Sequence, residues 1–367
     1  MGLFSRKPEV MKAQEAPQIM NDGFYTFNNY FPAIVSREMA LGVPAIKRCR
    51  DLISGTISSI PLEYYKKSTG EMITAPRWVE QPSIHQPRFL TMYFTLDSLL
   101  MYGQAFWQIT EVYAEDGRMA RANWIANTRV SFLTDPTTQF VTQYSVDGKP
   151  VPMAGLGSLI TFQKDEGILG IGALTIKAAL DAQKAASVAL ATPSATGFLK
   201  NTGADLPPTE VSGLLSAWKR ARQNNGTAYL TSTIDYQAIG FSPKDMAYQD
   251  AIQTNATECA RLCSVDPYYV SASMNTSMTY SNVVEERKQL VALTLQSYVS
   301  CVESRLSMND VSTDGHYVKF SLDDTFLRTE PMDRLLVLEK MLSLGLITTE
   351  QAMEMEDLSP NGSENGI

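Results

Sequence analysis

Gly167, Gly170 and Gly172 form a G-x-x-G-x-G run between a strand-like segment and an alanine-rich helical one. Glycines at such a turn let backbone N–H groups close on a phosphate at a helix N-terminus. The run lacks the Gly-Lys-Ser/Thr of a phosphate loop, and its spacing fits neither common nucleotide fingerprint. Its other reading is a flexible joint between two parts of the chain. Cys259 and Cys263, four apart, share a helix face, but zinc needs two more ligands, and neither His85 nor His316 stands at ligand spacing from a cysteine. These thiols read as buried and structural. No Gly-x-Ser-x-Gly elbow occurs. Asp323-Asp324 and Glu285-Glu286 are adjacent pairs that read as solvated charge, not as an acid and a base. The sharpest basic cluster is Lys219-Arg220-Ala221-Arg222 with Trp218 ahead of it. It ends a helical pattern, where cations are favoured, or it forms a docking patch for a partner protein or nucleic acid. These residues do not describe an enzyme; no catalytic, cofactor or metal site is expected.

The composition bounds the remaining choices. The chain has 367 residues, 44% of them hydrophobic and 19% charged, enough for two or three domains with real cores. The net charge of −8 is unevenly spread. Residues 1–199 carry 18 basic and 17 acidic side chains, 200–241 carry 4 and 3, and 242–367 carry 9 and 19. A sequence-specific DNA binder shows a basic surplus; this chain shows the reverse over its last third, a surface that repels phosphate. No apolar run approaches the roughly 18 residues of a membrane span. Met1 to Lys7 lacks the apolar stretch of a signal peptide, and Arg6 stands where a myristoylation motif wants Ser or Thr. Four scattered cysteines fit a reducing compartment.

The elements that position these residues can be read in order. Residues 1–30 have no periodicity and read as a flexible arm. A helix opens at Pro44 with Ile46, Cys49, Ile53, Ile57 and Ile60 on one face, and Pro61 ends it. Leu62 to Tyr65 reads as a strand and Ser68-Thr69-Gly70 as its turn. A second helix carries Phe89, Leu90, Tyr93, Phe94, Leu96 and Leu100 and closes at Gly103. Strand-like segments follow at 105–112, 122–133, 140–146 and 159–163, with Asp116-Gly117 and Asp147-Gly148 as hairpin turns.

Two long helical patterns, 172–199 and 243–263, then flank an insert of about 40 residues. The first holds eight alanines between 173 and 191 and few bulky side chains, so it needs close neighbours. In the insert, Thr209 caps a helix with Val211, Leu214, Leu215 and Trp218, Asn225-Gly226 ends it, and 228–231 reads as a strand. The second long helix starts at Ser242-Pro243 and breaks at Val265-Asp266-Pro267. Residues 271–282 are polar and almost uncharged. A third helix places Val284, Val291, Leu295, Tyr298, Val302 and Leu306 on one face. A strand at 318–322 and two short helices follow, one opening at Pro331, the other with Thr348 and Gln351 as a capping box. Residues 359–367 read as a disordered tail.

In this order the pieces resemble a portal protein of long-tailed bacteriophages, over roughly residues 31–357. Ala40-Leu41 through Ser59-Ile60-Pro61-Leu62-Glu63-Tyr64-Tyr65 resembles the family's first helix and strand. Leu100-Met101-Tyr102-Gly103-Gln104-Ala105-Phe106 resembles its "GnAy" segment, and Gly170-Ile171-Gly172-Ala173-Leu174 the start of a stem helix, with Ala173 in place of the usual Pro. Phe198-Leu199-Lys200-Asn201-Thr202-Gly203-Ala204 resembles the stem's exit, Ser242-Pro243-Lys244-Asp245 the second stem helix, and Cys263-Ser264-Val265-Asp266-Pro267 its stop. Gly345 to Ala352 resembles the C-terminal "GiiT-x-nEA". Pro193 departs from the pattern and implies a kink in the first stem helix.

The resemblance implies an α+β portal fold: an α+β wing (31–165), a first stem helix (166–199), a small α/β clip (200–241), a second stem helix (242–264), a stretch with tunnel loop, long wing helix and strand (265–330), and a short helical crown with tail (331–367). It implies a ring of about twelve copies at one capsid vertex of the virion, assembled in the bacterial host cytoplasm, through which double-stranded DNA passes non-specifically in packaging and ejection. Its implied partners are itself, the major capsid protein, the terminase large subunit and a head–tail connector or adaptor, with no membrane. Ser273, Met274, Asn275, Thr276, Ser277 and Met278 become candidates for the DNA-channel loop, and Trp218, Lys219, Arg220 and Arg222 for clip docking. The uncharged loop and acidic excess suit a wall that DNA passes without sticking. The alternatives are a monomeric protein-binding module and a nucleotide-dependent enzyme built on the Gly167–Gly172 turn.

Overall fold

The computed structural model describes residues 35–135, 138, 140–191, 197–223, 232–238, 248–270, 288–322 and 331–355. The chain forms two compact units, Met1–Lys319 and Phe320–Ile367. The arm, the 228–231 strand, the Asn225-Gly226 and Ser242-Pro243 signals, Pro193 and the tail lie outside the described residues.

The first unit begins with α1 (Arg37–Leu41), capped by Ser36, whose Oγ accepts the Met39 N–H at 3.2 Å. Helix α2 (Pro44–Ser59) opens on its proline and buries Ile46, Cys49, Ile53 and Ile57, the face that the spacing foretells. Strands β1 (Leu62–Lys66) and β2 (Met72–Ile73) pair antiparallel. After the short α3 (Arg77–Glu80), helix α4 (Arg88–Tyr102) packs on α2. It ends at Gly103, which sits at φ 75° and donates its N–H to the Leu99 carbonyl. A polar network ties α1 and α2 to α4. Arg37 grips the buried Asp97 carboxylate with two bonds, at 2.8 and 3.2 Å. The Tyr93 hydroxyl accepts from Arg50 and donates to Asp51, both at 2.8 Å.

Strands β3 (Gln104–Val112) and β4 (Met119–Ile125) form a hairpin over Asp116-Gly117. Two further strands, β5 (Val130–Thr134) and β6 (Val141–Val146), follow, and β6 turns into β7 (Lys149–Val151). That turn has positive φ at both Asp147 (50°) and Gly148 (74°), the primed geometry that a two-residue hairpin demands. Strand β8 (Leu159–Gln163) returns to β3. The result is two antiparallel sheets, β4-β3-β8 and β5-β6-β7. The single strand expected over 122–133 is therefore two strands in different sheets. A helical turn at Asn127–Arg129 breaks it, and the Asn127 side chain there donates to the Gln104 carbonyl at 2.8 Å. Phe106, Ile125, Val141, Tyr144, Val146 and Leu159 form the core between the sheets. The sheet is locked to α4 where Trp107 donates to Thr95 Oγ1 at 2.7 Å and Trp124 to Ser98 Oγ at 3.2 Å.

Next come α5 (Ile168–Ile171), α6 (Ala173–Ala191), β9 (Gly197–Asn201), α7 (Pro208–Gln223), β10 (Ile234–Ala238) and α8 (Tyr248–Leu262). The long helix expected to reach 199 is not continuous. Its described part runs to Ala191, and residues 197–201 are a strand paired with β10. The alanines that favour a helix lie at 173–191, whereas 197–201 (Gly, Phe, Leu, Lys, Asn) hold no alanine and find a strand partner in β10. From residue 288 a helix runs through a π turn (Val291–Leu295) into α9 (Gln296–Leu306). Helix α9 covers the free edge of β8: Cys301 Sγ donates to the Gln163 carbonyl at 2.9 Å and Arg305 Nε to Thr161 at 3.1 Å. Strand β11 (His316–Phe320), most of it in this unit, joins β1 and β2 in a third sheet.

In the second unit, α10 (Pro331–Ser343) and α11 (Thr349–Met355) form a helical pair. The expected capping box is present: Thr348 N–H donates to Gln351 Oε1 at 2.9 Å and Gln351 N–H to Thr348 Oγ1 at 3.2 Å.

Two glycines give predictions of opposite sign. Gly55 lies inside α2 with open space where a Cβ would go, so Gly55→Ala should raise stability by up to about 1 kcal/mol in urea unfolding. At Gly167 a Cβ would fall 2.3 Å from the Tyr102 carbonyl carbon, so Gly167→Ala should cost about 1–3 kcal/mol or more. The network of Tyr93 predicts an alkaline effect. Burial, then its bond to Asp51, pushes the phenol up to about 12. A folded value above the unfolded one, about 10, means stability is complete below that pH and lost as pH rises to the folded value. Tyr93→Phe should flatten the fall in melting temperature over that window.

Candidate channel and docking surfaces

The residues expected to face DNA, Ser273 to Met278, lie outside the described residues, but both of their attachment points are defined. Helix α8 ends in a Schellman motif: Val265 N–H reaches the Ala260 carbonyl and Ser264 N–H the Arg261 carbonyl, both at 2.9 Å. Ser264 holds the left-handed position at φ 55°, where a glycine is usual. Asp266 then accepts the Tyr268 N–H at 2.8 Å and starts a tight turn, Pro267–Val270, on its proline. Arg48 of α2 donates to the Tyr269 carbonyl at 3.1 Å. On the return side, the buried Thr294 hydroxyl in the π turn donates to the Ser264 carbonyl. The stretches that flank residues 271–287 are thus joined to each other, and the first of them to α2.

The π turn has a reason in the side chains. A regular α-helix through 288–306 would bring Lys288 onto the face of Val291, Leu295 and Val302, which it precedes by three, seven and fourteen residues. The wider turn leaves Lys288 exposed and buries Leu290 and Val291 together, at 4% and 6%. The expected face holds from Val291 to Leu306; Val284 lies outside the described residues.

The insert forms its own small module, the antiparallel β9–β10 ribbon with α7 against it. Trp218 rests on Tyr236 with ring centroids 5.2 Å apart, so this docking candidate helps hold helix to ribbon. Lys219 and Arg220 are exposed. At about 100° per residue, α7 sends positions 219 and 220 to different sides and brings 219 and 222 within about 60° of each other. The basic cluster is contiguous in sequence but not on one face.

The glycine run is a packed joint and not the flexible one expected. A Cβ at Gly172 would fall 2.2 Å from Leu262 Cδ2, so the start of α6 lies directly on the end of α8. Gly167 is pressed in the same way against Met101 and Tyr102. The thiols of Cys259 and Cys263 are buried, and sequence spacing missed their third neighbour, Cys49 of α2. A hydrogen bond shared with Cys49, then burial, pushes Cys263 up, and burial raises Cys259 to about 11. Thiols held protonated in this way are inert. His316 stacks on Tyr64 at 5.3 Å, and His85 is fixed by its backbone N–H on Ser83. Among the described residues no three of His, Cys, Asp and Glu gather to hold a metal, and no helix is long and apolar enough to cross a membrane.

A body of helices and antiparallel sheets, a close helix pair carrying a helix-and-ribbon module, and a separate helical pair define a structural portal-type fold. That fold is shared with the crystal structure of an HK97 family phage portal protein from Corynebacterium diphtheriae, at a TM-score of 0.65 and 23% identity over 78% of this chain and 95% of that one. It is shared with a chain in the neck of an empty gene transfer agent particle computed with C6 symmetry, at 0.58 and 18% over 89% and 95%. It is shared too with one in the neck of the native particle computed with C12 symmetry, at 0.55 and 18% over 89% and 92%. No curated protein matches the chain in sequence. The sequence model of phage portal proteins matches residues 44–357, and the chain belongs to that family, which is structural and not enzymatic. The nucleotide-enzyme alternative falls with this.

Leu290 tests the account of the π turn. Leu290→Ala removes the side chain that the wide turn brings inward and should cost about 2–4 kcal/mol. Lys288→Ala should change stability by less than about 0.5 kcal/mol, since an exposed surface position carries little.

Proposed function

We propose that this protein closes, in about twelve copies, into a ring at one capsid vertex of a phage-like particle, and that double-stranded DNA passes through the ring in packaging and ejection. The family match over residues 44–357 carries this reading. The neck location and twelvefold symmetry of the gene transfer agent relatives support it. On this reading α6 and α8 are the stem, residues 200–241 the clip, 31–165 with the long helix the wing, and α10 and α11 the crown. The uncharged residues Ser273 to Met278 face the DNA. The clip, through Lys219, Arg220 and Arg222, docks the terminase large subunit and then a head–tail connector, and the major capsid protein surrounds the wing.

The helix pair itself favours a ring over a monomeric binding module. Ile176 and Ala179 of α6 and Cys259 and Ala260 of α8 are buried, but Leu174 and Val188 are 75% and 58% exposed. A helix this poor in large side chains leaves apolar surface that further copies would cover.

Native mass spectrometry and negative-stain imaging of the purified chain should show closed rings of about a dozen copies; a stable monomer at high concentration refutes the reading. Arg220→Glu with Arg222→Glu should spare the ring and weaken motor docking, and a charge at Met274 or Thr276 should impair DNA packaging without loss of expression or ring closure.

A further inference from the structure

The helix pair has a fixed register that places charges at matching heights. Gly172 lies on Leu262 at the base. Further along, Ala179 and Gln183 of α6 line one cleft with Ile252, Asn255 and Ala256 of α8, so the helices run antiparallel. From the base contact, Lys177 is ~7.5 Å along α6 and Glu258 ~6 Å along α8, while Lys184 and Asp250 are both ~18 Å along. Two cations on one helix therefore stand level with two anions on the other.

These charges cannot meet within one copy. Lys177 and Lys184 are exposed and lie on the side of α6 away from buried Ile176 and Ala179. Asp250, exposed, and Glu258, its side chain 45% exposed, lie on the side of α8 away from buried Cys259 and Ala260. Among the described residues Lys177, Lys184 and Asp250 enter no ion pair, and Glu258 is held only by Arg261 at 2.6 Å. Asp181 lies between the two lysines and keeps their stripe from being uniformly basic.

We propose that Lys177 and Lys184 of one copy pair with Glu258 and Asp250 of the next, so that charge complementarity sets the seating of neighbouring stems. The occupant of this face is a second copy of the same chain, and the inference rests on the ring reading above. Copies related by rotation about a ring axis keep each residue at one height. A cation and an anion that are level but face apart in one copy therefore face each other across every junction. Each such contact is head-to-tail, α6 against α8, which is the kind that closes into a ring.

Two reversed proteins test it: Lys177→Glu with Lys184→Glu, and Asp250→Lys with Glu258→Lys. Each alone should need a protein concentration about tenfold higher than the wild type to close rings, since like charges then face at every junction. An equal mixture should close at the wild-type concentration with the two proteins alternating, as should a chain carrying all four substitutions. Lys177→Gln with Lys184→Gln, which cannot repel, should fold as the wild type by circular dichroism and form rings that lose part of their salt sensitivity. Reversed proteins that close as readily as the wild type overturn the pairing, as does a mixture that recovers nothing. Intact rings with impaired DNA passage overturn it too, and assign the lysines to the channel. A wild-type chain that never closes rings removes the proposed function and this inference together.

Discussion

The close seating of α6 on α8 is the constraint from which the rest follows. At Gly172 there is no room for even one carbon against Leu262, so the two helices leave the body side by side. Further out, Ala179 of α6 and Ala256 of α8 line one shared cleft. Beyond the pair, β9 and β10 lie antiparallel, from Asn201 opposite Ile234 to Gly197 opposite Ala238. The close seating also delivers the end of α8 to α2, where Cys49, Cys259 and Cys263 pack and Arg48 reaches Tyr269.

The body answers this with rigidity. Trp107 and Trp124 bond the sheet to α4, the Arg37–Asp97 pair bonds α1 to α4, and α9 lies along β8. Such buried polar contacts add little net stability when fully paired, but leaving one unpaired is costly. They therefore specify one arrangement more than they strengthen it. The segment expected to meet DNA is mounted on this frame at Ser264 and Thr294, joined by a single side-chain bond.

Much of this was legible in the chain. The α2 face, with Ile46, Cys49, Ile53 and Ile57 at spacings of three and four, needs only periodicity and a proline at each end. The Gly103 stop, the Asp-Gly turns and the Thr348–Gln351 box are local chemistry, readable because each depends on residues a few positions apart. What escaped depends on distance or on an unusual residue. The left-handed end of α8 uses Ser264, which gives no glycine signal. The π turn is hidden because adjacent apolar residues, Leu290 and Val291, fit either helix phase. Strand β9 was masked by the alanine run before it, and Cys49 lies some 200 residues from its partners. Of the docking candidates, the run 219–222 was visible as charge, but its division between helix sides required the helix itself. The channel candidates 273–278 could be framed only by the anchors on either side.

The clasp of Trp218 on Tyr236 has an evolutionary side. Helix α7 and its ribbon are held by each other, through rings that belong to the insert alone. Lys219 and Arg220 stand exposed on α7. Substitutions at its exposed positions therefore leave the frame undisturbed, and the insert can change its exposed surface independently of the body.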